Sequence, residues 1–333
     1  MNIKAKPIPR PILVTGGAGY IGSHTVLALV AAGIPAVVLD DLSTGSRDMV
    51  PEGVPFVQGN VADMALVRRT LRENQCCGIM HFAGSIIVPE SVHDPLKYYR
   101  NNAEAGRALI EAALAENIKT FIFSSTASVY GRPKTVPINE DAPTAPENPY
   151  GFSKLIIERI LKDVSSAHGL SYAALRYFNV AGADAKGRAG QVGPQSTHLI
   201  KIAVETVLGR RRHMEIFGDD YDTPDGACIR DYIHVSDLAD AHVKAFNHLL
   251  NGGDNLILNC GYGRGASVRE VLNAVQKVSG QTLDIRIAPR RPGDVPELVA
   301  DVTRIRKILG WVPRFTDLDV IIRTALEWER KRA

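Results

Sequence analysis

Residues Gly16-Gly17-Ala18-Gly19-Tyr20-Ile21-Gly22 follow directly on the apolar run Ile12-Leu13-Val14-Thr15 and open a helical pattern, Ile21 to Ala32, that stops at Gly33. Glycines at 16, 19 and 22 let the backbone turn tightly, approach a ligand closely and pack a helix onto a sheet. The helix start then offers unpaired N–H groups and a partial positive charge to an anion. The next apolar run, Ala36 to Leu39, is closed by Asp40, about 20 residues on, where a carboxylate binds the hydroxyls of an adenosine ribose. The strand–turn–helix context makes this a dinucleotide site. A 2′-phosphate beside Asp40 would bring like charges together, so the cofactor expected is NAD and not NADP.

The remaining pattern of the first half repeats the same unit. Apolar runs at Phe56–Gln58, Gly78–His81 and Thr120–Phe123 alternate with helical stretches at Asp63–Asn74 and Asp94–Glu116, and later runs stand at Tyr172–Arg176 and Asn255–Asn259. Strands apolar on both faces and separated by helices mean βαβ units, hence an α/β fold with a Rossmann-type doubly wound parallel sheet. After Asn179 the texture changes to turn-forming tracts at 182–194 and 218–226. We expect a smaller, interleaved C-terminal lobe: residues 1–179 with 231–262 for the dinucleotide domain, and 180–230 with 263–333 for the substrate lobe.

Lys and Arg total 39 against 36 Asp and Glu, too even a balance for a nucleic-acid binder; the local run Arg210-Arg211-Arg212-His213 reads as a solvated loop or helix end. Cys76, Cys77, Cys228 and Cys260 show neither metal-ligand nor disulfide spacing. The start, Met1 to Pro7, carries no apolar region of a signal peptide, and the most apolar stretch, Thr25 to Leu39, is interrupted by Gly33 and Pro35. A cytoplasmic protein without a membrane span is the expectation.

Tyr150 and Lys154 lie four apart at the start of a predicted helix, Tyr150–Ser166, and so share one face. A phenol titrates near 10 and is no base at neutrality unless its phenolate is stabilised. An ammonium one turn away and a positive nicotinamide ring would do so. Phe123-Ser124-Ser125-Thr126 places hydroxyls at the C-terminal end of a strand, where open α/β sheets bind ligands.

Together these residues resemble the extended short-chain dehydrogenase/reductase family. The resemblance covers nearly the whole chain, through Thr15–His24, His81–Gly84, Glu90–Val92, Tyr98–Asn102, Phe123–Gly131, Pro149–Lys154, Arg176–Asn179 and Pro289–Asp294; the blocks Ile216–Tyr221 and Arg230–Val235 look like its nucleotide-sugar 4-epimerase subgroup. It implies Tyr150 as base, Lys154 as electrostatic partner and Thr126 as the hydroxyl that shares the proton, a position often serine in relatives. It further implies that NAD is lined by Gly16, Gly19, Tyr20, Ile21, Gly22, Asp40, Asn60, Val61, Phe82, Ala83, Gly84, Asn101, Ser124 and Tyr177, beside Tyr150 and Lys154. The UDP-sugar would meet Thr126, Phe178, Asn179, His198, Leu199, Ile216, Phe217, Arg230, Tyr232, Arg291, Asp294 and Leu298, with Arg230 and Arg291 clamping the diphosphate. The reaction implied is interconversion of UDP-glucose and UDP-galactose through a 4-keto sugar, in a homodimer built on the helices Asp94–Glu116 and Tyr150–Ser166.

Four positions depart from the pattern. Asn60 stands where an Asp commonly meets the adenine, Asp41 where an Asn often follows the ribose carboxylate, Ile86 where some relatives carry a lysine toward the cofactor, and His198 where an amide is usual. Other readings also use this cleft. A related 4,6-dehydratase needs an Asp-Glu pair after the strand-end threonine, where this chain has Ala127-Ser128. A decarboxylase, a plain reductase, or a non-catalytic NAD(P)-sensing module would share the fold, and Leu298, intermediate in size, leaves UDP-GlcNAc or the UDP-xylose/UDP-arabinose pair as alternative substrates.

Overall fold

The computed structural model describes residues 10–193, 197–291 and 293–332. Met1 to Pro7, Pro194 at the end of the first turn-forming tract, and Pro292 within the Pro289–Asp294 block lie outside them. The first half runs β1 (Ile12–Thr15), α1 (Tyr20–Ala31), β2 (Ala36–Asp40), β3 (Phe56–Gln58), α2 (Met64–Glu73), β4 (Gly78–His81), α3 (Val88–His93), α4 (Pro95–Tyr98), α5 (Ala105–Ala115), β5 (Thr120–Ser124), α6 (Pro149–His168) and β6 (Ser171–Tyr177). Every residue of β1, β2, β4 and β5 is buried, as strands covered by helices on both faces must be.

The second half continues with β7 (Asn179–Ala181), α7 (Leu199–Val207), β8 (Met214–Phe217), β9 (Ile229–Arg230), β10 (Tyr232–His234), α8 (Val235–Leu250) and β11 (Leu256–Cys260). It closes with β12 (Ala266–Ser267), α9 (Val268–Ser279), β13 (Ile285–Ala288), β14 (Glu297–Leu298), α10 (Thr303–Leu309) and α11 (Leu318–Lys331). The main sheet has seven strands in the order β3-β2-β1-β4-β5-β6-β11, all parallel. The order reverses between β1 and β4, and that switch point opens a crevice at the carboxyl ends of the strands. The last strand joins only after the chain has left the sheet, so β11 pairs with β6 across the intervening residues. Short pairs β7·β10 and β8·β13 and the three-stranded β12-β9-β14 lie outside the main sheet.

Two expectations are refined. The single helix expected over Asp94–Glu116 is α4 and α5 joined by a π turn, Tyr99–Glu104. Its extra residue aims the neighbouring Asn101 and Asn102 at Ser85: Asn102 Oδ1 accepts from the Ser85 N–H at 2.7 Å, and Asn101 Nδ2 donates to Ser85 Oγ at 3.1 Å. Such insertions gather at functional sites. The strand expected over Asn255–Asn259 sits one residue later, because the Asn255 side chain accepts from the Tyr172 N–H at 2.8 Å and starts the pairing. In the basic run, Arg210 pairs with Glu329 and Arg211 with Glu205, each at 2.6 Å, so it is tied into its own lobe. All four cysteines are free. No helix among the described residues is long and apolar enough to cross a membrane.

Candidate active site

The glycine turn is a cradle with no room for side chains. A Cβ at Gly22 would lie 2.1 Å from the Gly16 carbonyl oxygen, and one at Gly16 would lie 2.6 Å from the Ala83 nitrogen. Gly16 also has φ +68°, where glycine is favoured. Gly19 starts α1 without a side chain to cap it, so the first N–H groups of the helix face the crevice open to an anion. Asp40 is buried at the end of β2, where Oδ2 accepts from the Ala18 N–H and Oδ1 from the Leu42 N–H, both at 2.9 Å. Burial raises its carboxyl above the usual range, with the two backbone donors opposing. Arg47, in the turn that follows β2, is stacked on Phe56, 4.8 Å from the ring centroid. A tight backbone cradle, an open helix start and a fixed carboxylate fit a dinucleotide whose adenosine ribose has a free 2′-hydroxyl.

Asp41 and Asn60, two of the departures, face each other. Asn60 Nδ2 donates to Asp41 Oδ2 at 3.1 Å, and Asn60 Oδ1 accepts from the Ala62 N–H. The carboxylate and the amide have exchanged places, so the hydrogen bond and the local charge persist. Asn60→Asp alone would set two carboxylates against each other and should weaken NAD binding about fivefold, the effect of roughly 1 kcal/mol. The double change D41N/N60D should restore it, and titration calorimetry with NAD reads both.

Helix α6 begins where its sequence dictates: Asn148 Oδ1 caps the Gly151 N–H at 2.9 Å, Pro149 occupies the first turn, and Gly169 ends it in the left-handed region. Tyr150 and Lys154 are both buried on its inner face. Lys154 Nζ donates to the Ser124 carbonyl at 3.2 Å and lies 5.1 Å from the centre of the Phe123 ring. Burial pushes this ammonium down to about 8. The Tyr150 phenol is pushed well above its ordinary range, first by burial and then by the Tyr177 hydroxyl, while the hydrogen bond with Thr126 opposes. A lowered phenol, anticipated from the Lys154 ammonium together with a positive nicotinamide ring, is therefore not a property of the protein alone, where desolvation dominates. Thr126 is buried and caps the 3₁₀ turn Ala127–Tyr130, its Oγ1 accepting from the Ser128 N–H at 3.2 Å. Ser124 Oγ donates to the Tyr177 hydroxyl at 3.2 Å. Gly84, at φ +154°, brings its backbone against Asn102 and Lys154. Val61 is buried beyond β3 and Phe82 packs on His242, whereas Ile86 is half exposed.

Outside the main sheet Asn179, His198, Leu199 and Tyr232 line one cavity of about 20 Å³. Phe178 is buried just before it, its N–H donating to the Cys260 carbonyl at 3.2 Å. His198 contacts Gln191 and is lowered by burial. Ile216 and Phe217 end β8, and the Arg291 guanidinium stacks 3.6 Å from the Phe217 ring centre. Arg230 donates to the carbonyls of Ile229 and Val295, both at 2.9 Å, and pairs with Asp294 at 3.4 Å. Leu298 on β14 pairs in register with Arg230 on β9, so the residue expected to gate the sugar neighbours the expected diphosphate clamp.

Sequence reasoning passed over Tyr98, whose ring meets that of Tyr150 edge-on at 6.4 Å and whose hydroxyl donates to the Ile87 carbonyl at 2.6 Å. It also passed over buried Asn102, which holds the Ser85 loop to Ser153. Both stand in the Tyr98–Asn102 block, and that run of aromatic and amide residues was the available signal.

A parallel sheet with its switch point above a glycine cradle, and a buried tyrosine, lysine and threonine beside it, define a nicotinamide-dependent enzyme of the short-chain type. The chain belongs to the NAD dependent epimerase/dehydratase family, whose model matches residues 12–261, and its cofactor is NAD. It is 59% identical over 322 residues to the UDP-glucose 4-epimerase of Azospirillum brasilense, covering 97% of this chain and 92% of that one. Among solved structures it is similar to the UDP-glucose 4-epimerase from Brucella ovis in complex with NAD, at 45% identity and TM-score 0.93, covering 96% of this chain and 98% of that one. It is also similar to that from Bifidobacterium longum in complex with NAD+ and UDP, at 38% identity and TM-score 0.92, with the same coverage.

Proposed function

We propose that this chain is an NAD-dependent 4-epimerase that interconverts UDP-glucose and UDP-galactose through a 4-keto sugar. The observation that carries it is the convergence of Tyr150, Thr126 and Lys154, all buried, beside the glycine cradle. Bound NAD supplies a reversible acceptor for hydride from C4 of the sugar. Tyr150 takes the 4-hydroxyl proton, directly or through Thr126, and returns it when the carbonyl is reduced. Thr126 favours the phenolate by its hydrogen bond, and the Lys154 ammonium, present below about pH 8, adds positive charge at the same end of β5. Burial excludes water and so protects the keto sugar while it turns over.

Turning over needs an anchored nucleotide and a loosely held hexose. Arg230 and Arg291, with Asn179, Leu199, Phe217, Tyr232 and Asp294, hold the uridine diphosphate. Arg291 sits on Phe217 and Arg230 on neighbouring carbonyls, so binding a diphosphate redirects both guanidiniums. Residues 1–179 with 231–262 form the NAD-binding domain and 180–230 with 263–333 the nucleotide-sugar lobe, with Thr126, Asn179 and Tyr232 of the first set turned to the substrate. Ala127-Ser128 stand where an eliminating enzyme would need an acid pair, which favours epimerisation over dehydration. The protein is cytoplasmic and serves galactose metabolism. A homodimer is supported by apolar side chains left exposed on α3, α4 and α6: Val92 at 60%, Leu96 at 70% and Phe152 at 47%.

Incubation of the pure protein with UDP-galactose, with and without added NAD, should yield UDP-glucose by product chromatography. A larger rate with added NAD would show that Ile86 leaves the cofactor dissociable. The same sample should elute at about twice 36.1 kDa. UDP-glucose absent under all conditions would overturn the reading, and a faster reaction of UDP-GlcNAc or UDP-xylose would move the substrate to one of those pairs.

A further inference from the structure

We propose that the buried group Ser125, Glu158 and Arg176 positions the reacting hydroxyls of Thr126 and Tyr150, and the Tyr177 hydroxyl beside them, relative to one another; this rests on the epimerase reading above. Each member stands on one of the three segments that carry those hydroxyls. Ser125 precedes Thr126 at the end of β5, Glu158 lies two turns beyond Tyr150 and one beyond Lys154 on the same face of α6, and Arg176 precedes Tyr177 on β6. Arg176 grips the Glu158 carboxylate with both arms, Nε to Oε1 at 3.0 Å and Nη2 to Oε2 at 2.6 Å. Ser125 Oγ donates to Glu158 Oε1 at 2.5 Å. The third arm, Arg176 Nη1, donates to the Tyr130 hydroxyl at 3.0 Å, at the end of the 3₁₀ turn that Thr126 caps, and Tyr130 donates on to Asn259 Oδ1 on β11 at 2.7 Å.

An ion pair this deep, with side chains 5% and 3% exposed, gives little net stability over an apolar pair of the same volume, because both charges lose their water. What it gives that an apolar pair cannot is fixed direction, since the planar fork admits one orientation of the carboxylate. The three elements are thereby locked in register at the level of the reacting atoms, where a shift of about 1 Å costs roughly a hundredfold in rate. None of the three side chains needs to touch the sugar or the cofactor; they act through their neighbours.

Two variants test this. Ser125→Ala removes only the link between β5 and the carboxylate, and the double variant Glu158→Met, Arg176→Met replaces the pair by apolar side chains of similar length. Expected for both are an unchanged far-UV spectrum, NAD affinity and KM for UDP-galactose within about threefold, and a kcat lowered about fivefold for the first and about fiftyfold for the second. The acid limb of the kcat–pH profile should also move up by about half a unit or more, because a displaced Thr126 no longer favours the Tyr150 phenolate. A merely structural role would lower thermal stability and leave kcat and that limb in place. If the double variant does not fold, Ser125→Ala decides alone. Parent-like kcat and pH profile in the folded variants overturn the proposal, whereas a parent chain that converts no UDP-galactose overturns the reading on which it rests.

Discussion

Replacing Tyr150 by Phe should lower kcat for UDP-galactose by about 10³-fold, within the range for removing a positioned proton carrier, and leave KM within about threefold. The ring is buried and packed against Tyr98, so loss of one oxygen leaves the shape intact, and the melting temperature should change little. Steady-state kinetics with product chromatography measure the effect. Retention of more than a tenth of the parent rate would remove Tyr150 from the role of base and leave Thr126 as the first hydroxyl to change next.

A drop from pH 7 to pH 5 should destabilise the protein severely. His24, His81, His234 and His242 are buried and held below their ordinary value by loss of water, to about 4, 3, 3 and 4 respectively. Unfolded histidines bind protons near pH 6.5, so the unfolded chain takes up more protons than the native one once the pH falls below that value. Stability is therefore intact above about pH 6.5 and falls from there downward, by about 1.4 kcal/mol per unit for each histidine, until the folded values are reached. Asp231 acts the other way: burial raises it to about 6, so protonation there favours the native state between about pH 6 and 4. These four losses against the gain at Asp231 leave a net cost on the order of 5 kcal/mol at pH 5, comparable with the whole stability of many domains. His198 adds to the loss, and Asp40, Glu140 and Asp240 add to the gain. The melting temperature should fall by more than 10 °C over that interval. His242→Asn, which keeps a donor for the Leu238 carbonyl, should make the fall shallower. A melting temperature that is level from pH 7 to 5 would contradict the account.

The parts of this arrangement that are legible in the amino-acid sequence are those encoded locally. The glycine cradle, Asp40 and the Tyr150–Lys154 spacing each lie within one strand–turn–helix unit or one helical turn, and the sheet strands emerge within a residue or two because continuous apolar runs are their own signature. What is not legible there depends on neighbours distant in sequence. Arg176 and Glu158 are 18 apart, and Ser125 and Glu158 are 33 apart, and each by itself has the look of an ordinary polar residue. The contact between Asp41 and Asn60 makes compensation out of what, residue by residue, looks like two separate departures. Burial raises the Tyr150 phenol in the protein alone, and desolvation of this kind belongs to the packed interior and leaves no trace in spacing. The π turn likewise preserves the apolar rhythm of a plain helix, and only the two adjacent asparagines hint at it.

The late return of β11 to the side of β6 also dictates how a nascent chain must mature. While the ribosome is still making the residues between them, β6 presents a bare row of amides and carbonyls, the kind of margin that invites pairing with another strand. Helix α8, which packs against α1, emerges only shortly before that strand. A fragment ending near residue 180 would therefore expose both an open flank and an uncovered helix, so it should accumulate in inclusion bodies and not in the supernatant.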